Sequence, residues 1–139
     1  MSRTRTAVTL AALTLSLVGV AAAPASAQAR APYDLTHRQE AVVLDLIDDV
    51  CGDTWCEGDS AFDFRRFHCS PETQSCVLRL RIASWDDDPL EWRWRSREIT
   101  GFPRFRQMVQ TSDSGYRSLD PEFYSAVSDA ISSIEDSVR

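Results

Sequence analysis

The sequence predicts an α+β fold in which a three-stranded antiparallel sheet packs against N-terminal and C-terminal helices and two disulfides hold the layers together. Apolar residues repeat at helical spacing in two segments. Between those segments they alternate with polar residues, as in strands, and four cysteines lie in the same part of the chain. A helix and a sheet that each have one apolar face bury those faces against each other, which gives the order α-β-β-β-α.

The first helix is predicted over residues 37–50. Thr36 is its expected N-cap, because Gln39 follows three residues later at the spacing of a capping box. The apolar residues that recur at helical spacing define its buried stripe, which consists of Val43, Leu46, Ile47 and Val50.

Three strands are predicted from the alternation of apolar and polar side chains in residues 62–65, 77–82 and 92–97. The turn-forming residues 70–75 predict a hairpin between the first two strands. In the third strand, tryptophans at 92 and 94 alternate with arginines. This alternation predicts that the tryptophans face the core and the arginines face solvent.

The C-terminal helix has the clearest start signals in the chain. Asp120 is its expected N-cap, and Pro121 suits its first turn. Before it, residues 104–110 predict an extra short helix and residues 111–118 predict a polar loop. The apolar stripe of this helix consists of Phe123, Val127, Ala130, Ile131, Ile134 and Val138.

Residues 1–27 have the three zones of a cleaved secretion signal. Arg3 and Arg5 give a positive start, the uncharged apolar run 7–23 follows, and small residues at 25–27 suit signal peptidase. We therefore expect a secreted or periplasmic protein that keeps no stable membrane anchor after cleavage. Lysine and asparagine are absent from the whole sequence, which a GC-rich bacterial genome would explain.

The remaining residues, 28–139, are enough for a single small domain with one modest core. An even number of cysteines in an exported chain predicts two disulfides. Zinc is disfavoured because the spacings are Cys-x4-Cys and Cys-x6-Cys. The four cysteines are Cys51, Cys56, Cys69 and Cys76.

Three disulfide connectivities remain open, and the local pairing 51–56 with 69–76 is the simplest. The hairpin register constrains it. If Cys69 and Cys76 oppose each other directly, Phe62 and Phe64 fall on the arginine side of the second strand, because a one-residue slip exchanges the faces. A local 69–76 bridge therefore requires an offset or a bulge.

Arginines on the second and third strands are the candidate anion-binding residues. The simplest register sets Arg81 opposite Arg95 and Arg79 opposite Arg97, and like charges in such positions destabilise a sheet. An external anion could neutralise them: a phosphate-bearing glycan, another envelope component such as lipopolysaccharide, or an acidic protein. The full candidate set is Arg79, Arg81, Arg93, Arg95 and Arg97.

The alternative interpretation of these arginines is a solvated face that is rich in arginine because of codon bias. Asp63, Glu91 or the acids of the 86–88 loop would then balance the charge from within the chain. The sequence by itself favours this alternative over a docking face.

A second charged cluster lies at the end of the first helix. Its acids repel one another and oppose the helix dipole, which Ca²⁺ would relieve. No window matches an EF-hand loop, however, so ion pairing with arginines or solvation is favoured over a metal. The candidate Ca²⁺ ligands are Asp45, Asp48, Asp49 and Asp53.

The sequence favours a non-catalytic interaction or envelope protein. His68 beside Cys69 could suggest a thiol–imidazole pair, but an oxidised cysteine is no nucleophile. The alternative is a small exported hydrolase using Asp59 or the acids of residues 86–88 for general acid–base work. The formal net charge of −6 disfavours nucleic acid as a partner.

Overall fold

The computed structural model describes residues 30–51, 56 and 58–139, together with Gly19. The predicted secretion signal lies outside these residues except for that glycine. The elements in chain order are α1 (His37–Cys51), β1 (Ser60–Ser70), β2 (Ser75–Ser84), β3 (Arg93–Ile99), a 3-10 turn (Phe105–Gln107), β4 (Val109–Thr111), β5 (Arg117–Leu119) and α2 (Pro121–Asp136). The predicted α+β layout is confirmed.

Both predicted helix starts are confirmed. Thr36 and Gln39 form the reciprocal capping box, with the Gln39 amide donating to Thr36 Oγ1 at 3.1 Å and the Thr36 amide donating to Gln39 Oε1 at 2.9 Å. Asp120 caps α2 by accepting the amide of Glu122 at 3.0 Å. Each helix buries an apolar stripe, which consists of Val43 and Ile47 on α1 and of Phe123, Val127, Ile131 and Ile134 on α2.

The main sheet has the strand order β1-β2-β3, and both pairs are antiparallel. Cys69 lies directly opposite Cys76. A bulge between Phe64 and Arg66 shifts the register, so that Phe62, which pairs with Ile82, shares the inner face with both cysteines. This is the irregularity that a local 69–76 bridge was predicted to require.

The two disulfides have the local connectivity. Cys51 pairs with Cys56, and Cys69 pairs with Cys76. The second bridge joins the two strands at the end of the hairpin where the turn begins. The pairs on either side of it, His68 with Val77 and Ser70 with Ser75, keep their antiparallel pairing. The hairpin register is therefore fixed by a covalent bond as well as by its bulge.

The predicted orientation of β3 is wrong. Trp94 lies opposite Arg81, and Arg95 lies opposite Leu80, one residue away from the predicted register. The arginines of β3 therefore point to the helix side and its tryptophan points away from it. The observed register is the better one electrostatically, because no arginine of β2 opposes an arginine of β3.

The segment before α2 also differs from its prediction. Residues 105–107 form only a 3-10 turn, and β4 and β5 pair as a second, two-stranded sheet. Val109 and Leu119, which pair with each other, are both buried, and their place in the core stabilises strands where the sequence suggested a helix and a polar loop.

The helices lie on one side of the main sheet, with α1 against β1 and α2 against β3. Aromatic rings fill the space between the layers, since Phe123 makes edge-to-face contacts with Phe67 at 5.9 Å and Phe102 at 5.1 Å. Within the described residues, no helix has the length and apolar character needed to cross a membrane.

Candidate anion-binding face

The side of the main sheet turned away from the helices is called the open face here. Register places on it Asp63, Arg66 and His68 from β1, Val77, Arg79 and Arg81 from β2, and Trp94, Ser96 and Glu98 from β3. None of these nine side chains is buried, and six of them are exposed. Its polar and aromatic groups are therefore available to a partner.

Arginines and tryptophans alternate along the open face. The guanidinium of Arg79 lies 4.4 Å from the ring centre of Trp94, and that of Arg81 lies 5.8 Å from Trp94 and 5.2 Å from Trp92. Such cation–π contacts attract a guanidinium to the negative face of the indole. They also restrict the rotamers of these long side chains, so both guanidinium groups are held against indole rings.

The two β2 arginines differ in how their charge is balanced. Arg81 donates to Asp63 through Nε at 2.7 Å and also through Nη2, and Arg65 donates to the same carboxylate at 2.9 Å. Asp63 is thus the internal neutralising group that the sequence suggested. Glu91, another suggested group, lies 3.4 Å from Arg93 instead.

Arg66 and Arg79 form the opposed pair of like charges on this sheet. They are direct cross-strand partners between β1 and β2, which puts their Cβ atoms about 5 Å apart. Among the described residues, no carboxylate lies within ion-pair distance of either guanidinium. The repulsion predicted for this sheet therefore exists, but it lies between β1 and β2 rather than between β2 and β3.

The other predicted anion-binding arginines have different roles. Arg95 donates to the hydroxyl of Ser137 at 3.3 Å, and Arg97 donates to the hydroxyl of Ser133 at 3.1 Å, so both fasten β3 to α2. Each also donates to the backbone carbonyl of the residue before it, at 2.8 and 2.9 Å. The prediction that Arg93, Arg95 and Arg97 share a face with Arg79 is therefore wrong.

His68 stands at the edge of the open face beside a buried carboxylate. Its Nδ1 lies 2.9 Å from Glu40 Oε1, although the two atoms are not aligned for a hydrogen bond. The same oxygen accepts the backbone amide of Cys69 at 2.9 Å. Glu40 thereby satisfies an outward amide of the edge strand β1 and sets the imidazole beside the arginine pair.

These groups surround a shallow cleft of about 470 Å³ on the open face. Its floor is partly apolar, because Val77 is exposed there. We call this depression the arginine cleft. Its lining consists of Arg66, His68, Val77, Arg79, Trp94, Arg95 and Ser96.

The three candidate Ca²⁺ ligands that the structure describes do not form part of a metal-binding group. Asp45, Asp48 and Asp49 are exposed on α1, and Asp53 lies outside the described residues. Within the described ranges, no group of three or more histidine, cysteine, aspartate or glutamate side chains has the spacing to hold a metal ion.

Sequence reasoning missed Arg66, Trp94 and Glu40 as parts of this surface. One signal was available for Arg66: phenylalanines at 62, 64 and 67 are spaced by two and then by three residues, which marks a bulge next to the arginine doublet. Comparisons with protein family models, with curated proteins and with solved structures find no match. Function is therefore inferred from the geometry of this chain.

Proposed function

We propose that this chain is an exported, non-catalytic binding protein that docks an anionic partner on its open face. The observation that carries the proposal is the direct opposition of Arg66 and Arg79 without a carboxylate partner among the described residues. A signal-like segment at residues 1–27 and two formed disulfides support export to an oxidising compartment.

The electrostatic repulsion between Arg66 and Arg79 favours the binding of an external anion between them. Two opposed guanidinium groups raise the free energy of the sheet, and a shared anion would turn that repulsion into two charge-assisted hydrogen bonds. Arg79 is already ordered by its contact with Trp94, so binding would cost less side-chain entropy than for a free arginine. Asp63 is not available to neutralise Arg66 and Arg79, because its carboxylate already accepts hydrogen bonds from Arg65 and Arg81.

The carboxylates that would serve a hydrolase have a different environment. Asp59, Asp86 and Asp88 are exposed and Asp87 is half-buried, so none of the four is enclosed in the way that acid–base catalysis usually requires. The open face offers binding groups, and these loop acids contribute nothing to it. We therefore prefer a binding protein to the hydrolase alternative.

The test is equilibrium binding of the exported, disulfide-bonded protein to immobilised poly-L-glutamate and polygalacturonate across a salt series. Mass spectrometry of the starting material should place its first residue after Ala27 or Ala29 and find no free thiol. We expect binding to at least one polyanion that weakens as salt rises, because exposed charges are screened. The double variant Arg66→Gln/Arg79→Gln should lose about tenfold or more in affinity.

The matched control is Arg38→Gln/Arg117→Gln, which removes the same net charge from exposed arginines away from the sheet face. It should bind as the unchanged protein does. Equal losses in the two double variants would mean that only overall charge matters and would contradict the proposal. Absence of salt-sensitive binding to both polyanions would contradict it as well.

A further inference from the structure

We infer that the anionic partner is an acidic polysaccharide, and that a sugar ring of it packs on Trp94 while the carboxylate of that ring lies between Arg66 and Arg79. This inference rests on the proposed function and specifies the ligand of the same cleft. It depends on the neighbouring positions of an indole and an opposed arginine pair, which together match a ring that carries an acid group.

Trp94 supplies an aromatic surface beside the charges. Trp94 is 50% exposed on the edge strand β3, which leaves a large aromatic surface in contact with water. A pyranose ring has a face of C–H bonds that carry partial positive charge, and these are attracted to the negative face of an indole. Arg79 already covers one face of this indole, with its guanidinium 4.4 Å from the ring centre. In the proposed complex the sugar ring packs on the remaining exposed surface of Trp94, and its carboxylate reaches the guanidinium past the edge of the indole.

The remaining lining suits the hydroxyl groups of a sugar. Ser96 lies directly opposite Arg79 across the strands, and His68 lies opposite Val77. A hydroxyl and an imidazole can each donate or accept, whereas the exposed side chain of Val77 gives an apolar patch between them. The cleft volume of about 470 Å³ is within the range of pockets for small ligands, so it fits a short stretch of saccharide.

A carboxylate is the acid group that this arrangement matches. Arg66 and Arg79 start from paired positions on neighbouring strands. In the proposed complex a planar carboxylate lies between them and accepts from one guanidinium at each of its oxygens. An acidic peptide carries the same carboxylate but places it on a flexible chain with no ring to pack on Trp94. The indole thus distinguishes the two kinds of partner.

An anionic membrane is the other surface that tryptophan and arginine suit. Trp85 and Trp92 are also exposed, at 59% and 38%, and would extend such a contact toward one end of the sheet. At that end, however, Trp85 is followed directly by three aspartates at 86–88, and Glu91 precedes Trp92. A flat anionic surface would meet these carboxylates, whereas a chain lying in the arginine cleft would not.

The experiment compares four probes on the exported protein: polygalacturonate, poly-L-glutamate at equal carboxylate concentration, neutral dextran, and phosphatidylglycerol vesicles. We expect polygalacturonate to bind about tenfold more tightly than poly-L-glutamate, with dextran and vesicles weaker than both. Trp94→Leu should lower affinity for polygalacturonate by about tenfold. Affinity for poly-L-glutamate should fall by no more than about threefold, because that polymer loses only the ordering of Arg79. Tyr116→Leu, a control at an exposed aromatic on the loop between β4 and β5, should change neither.

The outcomes separate this inference from the proposed function. Equal affinity for polygalacturonate and poly-L-glutamate, with both lost in Arg66→Gln/Arg79→Gln, would keep the proposed function and overturn the sugar. Equal losses for both polymers in Trp94→Leu would also overturn it, because Trp94 would then act only by holding Arg79. Tightest binding to the vesicles would replace the sugar with a lipid surface. No binding to any anionic probe would overturn both proposals.

Discussion

Two pairs of arginines on the same sheet have opposite roles. Arg95 and Arg97 alternate along β3 on the helix side, where their guanidinium groups donate to serines of α2 and to carbonyls of their own edge strand. Arg66 and Arg79 oppose each other on the open face, and neither has a carboxylate partner among the described residues. The first pair connects β3 to the C-terminal end of α2, and the second is the pair that we propose binds an anionic partner.

The register of a strand decides which face of the sheet its arginines lie on and therefore which groups they can contact. Moving β3 by one residue would put Arg95 and Arg97 on the open face and Trp94 on the helix side. In the observed register, long side chains on an edge strand can reach around that edge, bury their methylene stems and keep their charge in water. Those same side chains occupy outward carbonyls that could otherwise pair with another chain.

The largest effect should come from removing the covalent bond that fixes this register. Cys69→Ala/Cys76→Ala should lower the free energy of unfolding by about 2.5 kcal/mol, from the loop-entropy model applied to their sequence separation of 7. Urea unfolding under non-reducing conditions measures it. Both arginine pairs depend on β2, so binding to polyanions should weaken at urea concentrations where the parent still binds.

The control is Cys51→Ala/Cys56→Ala, which removes the bridge at the end of α1, whose sequence separation of 5 is similar. It should lower stability by a comparable amount and leave binding to polyanions unchanged in the absence of urea. Binding is compared at urea concentrations where the unfolding curves show both variants still folded. If Cys51→Ala/Cys56→Ala weakened binding there as much as the loss of the Cys69–Cys76 bridge does, the hairpin register would not be what presents the arginine cleft.

The second effect concerns the pair that completes the fold. Arg95→Ala/Arg97→Ala should lower the free energy of unfolding by about 1–2 kcal/mol, because the hydrogen bonds to Ser133, Ser137 and the edge carbonyls are lost at partly exposed positions. Urea unfolding measures the change. Because Arg95 also lines the arginine cleft, binding is measured on the single variant Arg97→Ala, whose affinity for polygalacturonate should stay within about threefold of the parent. A large loss of affinity with unchanged stability would reverse the roles of the two arginine pairs.

Much of the fold could be predicted from local signals. The capping box at Thr36, the aspartate cap of α2 and the alternation in β2 depend on residues close in sequence, and each is confirmed. The strands β4 and β5 could not be predicted, because Val109 and Leu119 become strand residues only through their pairing with each other in the core. Contacts between distant segments override such weak local preferences.

The candidate site was less predictable because it depends on two registers. The bulge beside Arg66 follows from the phenylalanine spacing together with the Cys69–Cys76 bridge, and the sequence carried both signals. The register of β3 carried no comparable signal. Alternating tryptophan and arginine fit either face of an edge strand, and the choice depends on serines of α2 that lie more than 30 residues away.

The smallest effect has the opposite sign. Arg66→Gln should raise the free energy of unfolding of the unliganded protein by about 0.5 kcal/mol, because it removes one of two opposed like charges and leaves the Arg79–Trp94 contact in place. The gain should shrink as salt rises, since both arginines are exposed. Thermal unfolding at low and high salt, beside Arg38→Gln, measures it. A loss of stability would show that this pair supports the fold as Arg95 and Arg97 do, whereas a gain together with lost binding is the exchange of stability for function expected of residues kept for a ligand.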